Sequence, residues 1–304
     1  VSDTLVSILI VVRNEERNLP RLLQLIDRQT YSNLEIVLVD NGSNDKTFNI
    51  MREYSKKSPF KVKVGVALST LARAYNRALN MASGDYIAII DGDELPTPTW
   101  IEEHVKCLKE GCDACLAPVV YVPTSKRISK VCTWYFNRSL LEVLFNKLKT
   151  PERIVFNTGN VSFRAVAIKK VGFYDPMTVS EDGEMSYRFL KYGFKLCFNE
   201  HAIVFHPAPS DYRQHISFWW KLAYANRALL QVHPYLDLKK IFIRNILLSH
   251  VDPREWIKSS LYRGEHLLSS ILLHVSALLT LLITSSYLTL LRKEVLNRYI
   301  QRIK

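Results

Sequence analysis

The stretch Tyr86-Ile87-Ala88-Ile89-Ile90-Asp91-Gly92-Asp93-Glu94 sets five apolar residues directly against three carboxylates. The run from Tyr86 to Ile90 is β-rich and too short for a helix, which predicts a buried strand. Carboxylates at 91 and 93 fall on one face of an extended chain, and Gly92 between them lets the backbone turn so that hard oxygens converge on one small cation. In open α/β sheets ligands bind beyond the carboxyl ends of the strands, so position and chemistry agree. Acidic turns after strands are also common as plain surface features. The flanking chain has to decide between the two.

Upstream, Ser7 to Val12 reads as a strand ending in Arg13, Asn14 and Glu15, and Leu19, Leu22, Leu23 and Ile26 then recur at helical spacing. The unit repeats: a strand from Glu35 to Val39, a polar turn from Asp40 to Asn44, and a helical stretch from Asp45 capped by Ser43 or Asn44. A third strand, Val62 to Ala67, leads into a helix from Leu71 to Met81 bearing Arg73 and Asn76. Four strands alternating with three helices predict a parallel, doubly wound sheet. No GxGxxG occurs at the first turn, so no dinucleotide fingerprint is present. Downstream, Thr97 and Pro98 open a helix over Trp100 to Lys109, and Ala114 to Val122 reads as one further strand. A turn at Asn157 to Asn160 precedes a short strand, Val161 to Phe163, and Glu181 and Asp182 precede a helix from Gly183 to Tyr192. Leu196 to Asn199 and Ala202 to Phe205 are two more short strands, followed by His206.

The chain has 304 residues and a formal charge of +12. Residues 201–304 hold 14 Lys and Arg against 6 Asp and Glu, beside long apolar runs. That pairing points to an anionic lipid surface and away from nucleic acid. Ile216, Trp219, Trp220, Ala223 and Leu230 form a helical stripe suited to a membrane interface. Leu267 to Leu291 is 25 residues without a charge, long enough to span a bilayer of ~30 Å hydrocarbon thickness. Basic residues flank both ends of it, so the segment is expected to be transmembrane or re-entrant. The five cysteines give no disulfide framework and suggest a reducing compartment. Cys112 and Cys115 have zinc-knuckle spacing with Cys107 nearby, yet no second pair follows at a suitable distance, so they read as core thiols.

Taken in order, these pieces resemble the family 2 glycosyltransferases, enzymes of GT-A fold that use nucleotide sugars. The resemblance covers residues 5 to about 210. It rests on Arg13-Asn14-Glu15, Asp40-Asn41-Gly42-Ser43, the helix with Arg73 and Asn76, Asp91-Gly92-Asp93, Gly159-Asn160, and Glu181-Asp182. The resemblance implies that Arg13, Glu15, Asp40, Arg73 and Asp91 line the nucleotide sugar, with Asp40 accepting from the base. It implies that Asp93, with Asp91 and His206, holds Mg2+ or Mn2+ against the pyrophosphate. Asp182 matches the general base of an inverting transfer, with Asn160 and Glu181 on the acceptor side. The expected fold is a doubly wound mixed GT-A sheet over 1–210, then interface helices over 211–265, a transmembrane segment over 266–291 and a basic tail over 292–304. The expected activity moves one hexose, mannose from GDP-mannose favoured over a UDP-hexose, to a polyprenyl phosphate or lipid-linked glycan. The expected place is the membrane, among its lipids, with the catalytic domain cytoplasmic and no nucleic acid partner. Two alternatives stay open: a processive polysaccharide synthase using a UDP-sugar, and a non-catalytic nucleotide-sugar-binding membrane protein. The QxxRW motif of processive synthases is absent, since Gln214 is followed by His215, Ile216, Ser217, Phe218 and Trp219.

Overall fold

A computed structural model of the chain describes residues 4–124, 159–174 and 181–211, with isolated positions as far as Ser217. The chain divides into a unit of residues 1–122 and 137–207 and a second of 123–136 and 208–304. The fold and the site lie in the first unit.

Strands β1 (Val6–Val12), β2 (Leu34–Asp40), β3 (Lys61–Val66) and β4 (Tyr86–Ile90) alternate with helices α1 (Leu19–Ile26), α2 (Thr47–Lys57) and α3 (Leu71–Met81). After the two-residue strand β5 (Leu95–Pro96) come α4 (Trp100–Lys109), β6 (Ala114–Leu116), β7 (Val119–Val122) and β8 (Asn160–Arg164). They are followed by two helices, α5 (Ala165–Val171) and α6 (Glu181–Lys191), then β9 (Leu196–Phe198) and β10 (Val204–Pro207). The main sheet has seven strands in the order β3-β2-β1-β4-β8-β6-β9. Its first four are parallel, and β8 runs antiparallel to both β4 and β6. A second sheet orders β5-β10-β7.

Side chains alternate across the main sheet as the pleat requires. From β1, Ile8, Ile10 and Val12 enter one apolar cluster with Leu22, Ile26 and Trp100, while Leu9 and Val11 enter another with Tyr75, Ile168 and Phe189. Both faces are covered, so β1 and β2 are buried along their whole length. The near-continuous apolar reading of these strands follows from that double coverage.

The sheet is mixed, as the resemblance implies: β8 enters antiparallel beyond β4. Several other expectations are corrected. The apolar run 114–122 is two strands in two sheets: Pro118 lies between them and lacks the N–H that a continuing ladder needs. Helix α5 was not anticipated, since seven residues directly after a strand carry too little periodicity to register. It ends at Gly172, whose φ of +90° suits glycine. The cysteine reading changes too: Cys112 and Cys197 form a disulfide across 85 residues, with Cys107 and Cys115 buried as free thiols.

The expectation of a transmembrane or re-entrant segment is corrected, and with it the membrane localisation that rested on that segment. No helix among the described residues is long and apolar enough to cross a membrane. The longest, α2, α3 and α6, have 11 residues each. At ~1.5 Å per residue that is about 17 Å, little more than half of a ~30 Å hydrocarbon core. Apart from isolated positions, residues 212–304, with the stripe around Trp219 and the uncharged run 267–291, lie outside the described residues.

Candidate active site

Two loops at the carboxyl ends of β1 and β2 are laced together by their own polar side chains. Asn14 accepts from the Asn44 amide at 2.9 Å, and its own amide donates to Ser43 Oγ at 2.9 Å. The Glu15 amide donates to Thr47 Oγ1 at 2.8 Å. Asn14 holds a φ of +59°, a left-handed position that asparagine tolerates. This lacing fixes the floor on which Asp40 stands. Asp40 is buried; its Oδ2 accepts from the amides of Gly42 at 3.2 Å and Ser43 at 3.1 Å, which is the turn-forming role of an Asx residue. Its Oδ1 is buried with no hydrogen-bond partner among the described residues. A buried carboxylate oxygen without a donor is costly, so this oxygen is an acceptor open to a donor from a ligand.

One strand separates Asp40 from the acidic turn. Val12, at the end of β1, pairs with Asp40, and a β-carbon on Gly92 would fall 2.6 Å from Val12 Cγ1 and 3.1 Å from Glu15 Cγ. Two strand spacings, roughly 10 Å, therefore lie between Asp40 and the turn, about the reach of a nucleoside diphosphate from base to phosphates. The turn is closed twice over: the Glu94 amide donates to Asp91 O at 3.2 Å, and Glu94 Oε2 accepts from the Asp91 amide at 3.1 Å. Glu94 is 1% exposed, and burial followed by the nearby Asp91 pushes its carboxyl well above the usual carboxylate range. Gly159 is packed against that carboxylate so closely that any β-carbon would clash with Glu94 Oε1. The sequence reading gave Glu94 no role. Gly159, which packs on it, lies 65 positions away, and no local pattern announces the contact.

Asp91 Oδ1 accepts from Tyr75 Oη at 2.9 Å, and burial together with Asp93 raises the Asp91 carboxyl. Glu15 is raised as well, by burial first and then by Asp93, Asp45 and Asp91, against a lowering hydrogen bond from Asn18. Four carboxyl groups thus crowd one corner, and among the described residues no Lys or Arg is paired with them. The base that faces them is His206. Strand β10 pairs antiparallel with β5 (Phe205 opposite Leu95), which brings His206 back to the acidic turn, 3.4 Å from Nε2 to Asp93 Oδ2. His206 Nδ1 lies 2.8 Å from Pro207 O, an acceptor, so Nδ1 donates there and Nε2 is the ring nitrogen that faces Asp93. The Tyr121 ring packs 5.0 Å from the imidazole.

The remaining expected residues fall as follows. Asp182 stands in the first turn of α6 and is close enough to Tyr75 to act on its hydroxyl electrostatically, as Asp91 does. Glu181 is the first residue of that helix. Asn76 clamps the segment leading toward it, donating to Tyr174 O at 2.7 Å and accepting from the Tyr174 amide at 2.9 Å. Arg13 and Arg73 are exposed, and neither has a side-chain partner among the described residues. Asn160 is different. It is 1% exposed, its Oδ1 accepts from Trp100 Nε1 at 2.8 Å and His104 Nε2 at 2.9 Å, and its Nδ2 donates to Pro118 O and Ala202 O at 2.8 Å each. All its hydrogen-bonding capacity is spent within the protein, which leaves no polar atom for an acceptor substrate. Asp91, Asp93 and His206 do not close into a three-ligand cluster; among the described residues only Cys107, Cys112 and Cys197 do, with ligand atoms within 4.8 Å of one another.

A model of the family described as glycosyl transferase family 2 matches residues 7–172. Among curated proteins, the chain is 34% identical over 151 residues to the dolichol-phosphate mannosyltransferase of Pyrococcus furiosus, covering 48% of this chain and 42% of that protein. It is 28% identical over 209 residues to glycosyltransferase AglE of Haloferax volcanii, with 67% of each covered. It is 35% identical over 107 residues to the putative glycosyltransferase EpsE of Bacillus subtilis, covering 34% of this chain and 38% of that one. The matches thus span between about two fifths and two thirds of these relatives. Among solved structures, mannosyltransferase PcManGT from Pyrobaculum calidifontis, in complex with GDP-Man and Mn2+, superposes with a TM-score of 0.58 at 17% identity, over 96% of this chain and 80% of that one. The family match takes in more than half of the chain and runs from β1 through the acidic turn to the end of α5; the chain belongs to glycosyl transferase family 2, with a GT-A-type sheet.

Proposed function

We propose that this protein is an inverting glycosyltransferase that moves one hexose, mannose from GDP-mannose, onto a lipid-linked acceptor such as a polyprenyl phosphate. The observation that carries the reading is the carboxylate corner at the end of β4, two strands from the orphaned Asp40 oxygen. In this reading Asp40 Oδ1 takes a ring N–H of the donor base, while Arg13 and Arg73 lie free to meet its phosphates. Asp93 and His206, with Asp91 beside them, would hold Mg2+ or Mn2+. The donor set fits such an ion: a carboxylate oxygen and an imidazole nitrogen, both ordinary ligands of Mn2+, face each other at 3.4 Å. Two ligands of one octahedral ion at ~2.1 Å stand roughly 3 Å apart. When bound, the ion neutralises the charge of the departing nucleoside diphosphate. Asp182 takes the acceptor proton as the sugar carbon is attacked from the face opposite the leaving group. Support for mannose comes from the activity named for the Pyrococcus furiosus relative.

The test is a panel of GDP- and UDP-sugars offered to the purified protein in detergent, with Mg2+ or Mn2+ and a polyprenyl phosphate. Metal-dependent release of GDP from GDP-mannose and a product carrying one added hexose is the expected result. A ladder of products from a UDP-sugar replaces this reading with that of a polysaccharide synthase. Failure to turn over any donor overturns the enzymatic reading altogether.

A further inference from the structure

Four cysteines meet at the β9 edge of the main sheet, and the proposed reaction uses none of them. Cys107 lies in the last turn of α4, Cys112 in the turn that follows, Cys115 on β6 and Cys197 on β9, where it is the register partner of Cys115. All four belong to one apolar cluster. The disulfide employs only Cys112 and Cys197. Cys107 Sγ nevertheless lies within 4.8 Å of both of those sulfurs, and Cys115 shares a thiol hydrogen bond with Cys107. Tetrahedral thiolate sites with Zn–S of about 2.3 Å place their sulfurs roughly 3.8 Å apart; Cys107 stands within 4.8 Å of both bonded sulfurs, and Cys112 and Cys197 move apart to that spacing once their bond is opened.

Hydrogen bonds hold the backbone that carries these sulfurs in addition to the disulfide. Arg164 of β8 donates from Nε to Cys112 O at 3.0 Å and from Nη2 to Leu108 O at 2.7 Å. Asp113 bonds Lys195 twice: its amide to Lys195 O at 2.8 Å, and its Oδ2 from the Lys195 amide at 2.8 Å. Gly111, at φ +92°, makes the reversal that returns Cys112 toward Cys107. A cavity of about 600 Å³, lined by Cys107, Cys112, Cys197 and Lys106, gives an ion a path to the sulfurs.

We propose that the reduced chain binds one thiophilic divalent cation of the Zn2+ class at Cys107, Cys112, Cys115 and Cys197, with the disulfide as the alternative state of the same cluster. The steps balance. A dithiol reductant supplies two electrons and two protons and opens the Cys112–Cys197 bond to two thiols, becoming a cyclic disulfide itself. The ion then replaces four thiol protons, giving a tetrathiolate of net charge −2 and four released protons. The Cys-x-x-Cys spacing of 112 and 115 is the first half of such a site. Its second half, Cys197 and Cys107, is supplied by the fold.

The decisive measurement is metal content of the full chain reduced with a dithiol, dialysed against Zn2+ and freed of excess metal. One Zn2+ per chain is expected, together with thiolate-to-metal charge-transfer and tetrahedral d–d bands when Co2+ replaces it. Cys107→Ser should lose those bands and bind at least tenfold more weakly. A reduced wild-type protein that binds no Zn2+ while its thiols titrate freely overturns the proposal, and so does Co2+ binding without thiolate bands. Because the wild-type measurements decide alone, a variant that does not fold leaves the test intact. The readout is also independent of sugar transfer.

Discussion

At the scale of single residues, Asp40 shows how one side chain serves fold and site at once. One oxygen closes the turn through the Gly42 and Ser43 amides, while the other is buried with no hydrogen-bond partner among the described residues. Asp40→Asn separates the two roles, because the amide carbonyl still closes the turn and the NH2 takes the place of the free acceptor. Hydrogen bonds to charged groups are worth about 1.5–3 kcal/mol, so binding of GDP by calorimetry should weaken roughly 10–100-fold. The thermal midpoint should stay where it is. Equal loss of both would mean that Asp40 is a turn residue alone. Asp93 and His206 give a second lesson at this scale: their partnership depends on a strand pairing more than a hundred residues distant, so the sequence placed each beside the chemistry without showing that they face each other.

At the scale of elements, the contact of α4 with β8 is built on a buried polar string: Trp100 and His104 on the helix, Asn160 and Ser162 on the strand. The imidazole lies between Asn160 Oδ1 and Ser162 Oγ at 2.9 and 2.8 Å and is 1% exposed, and burial lowers its pKa to about 4. Its folded pKa lies below the ordinary value of about 6.5, so its contribution is complete above that pH. It is lost as pH falls toward 4, where the unfolded chain takes up a proton that the folded one refuses. The full loss is on the order of 3 kcal/mol. Urea unfolding at pH 7 and pH 4.5 should therefore show a fall that His104→Gln lacks. The comparison matters because Asp91, Glu94 and Glu15, raised by burial, act with the opposite sign and are common to both proteins. An equal pH dependence in the two proteins would count against the buried neutral imidazole. Element identity was legible wherever it is local: β1 to β4, α1 and α3 follow from apolar spacing, and α3 begins and ends where the spacing put it. The role of Asn160 was not legible, because all its partners belong to other elements. Nor was the strand switch at Pro118, which depends on which sheet accepts each half.

At the scale of the whole molecule, the question is what holds the late strands in register with the early ones. Strand β9 has three residues and, among the described residues, stands at the sheet edge and pairs only with β6; the chain runs from it into β10, which carries His206 to Asp93. So short an edge strand contributes little ladder energy of its own. The Cys112–Cys197 link ties it to the turn after α4 across 85 residues. Joining points so distant in sequence restricts the unfolded chain, and a loop of this length is worth about 2–4 kcal/mol in practice. In the presence of a chelator, which keeps metal from substituting for the bond, Cys197→Ser should lose about that much stability by urea unfolding. It should also loosen β9 and β10, so the Mn2+ concentration giving half-maximal activity should rise more than the KM for the nucleotide sugar, because Asp40 and its turn stand on β2 at the opposite side. Stability lost with both kinetic constants unchanged would show that β10 is held by its own sheet, and that the bond secures only the edge.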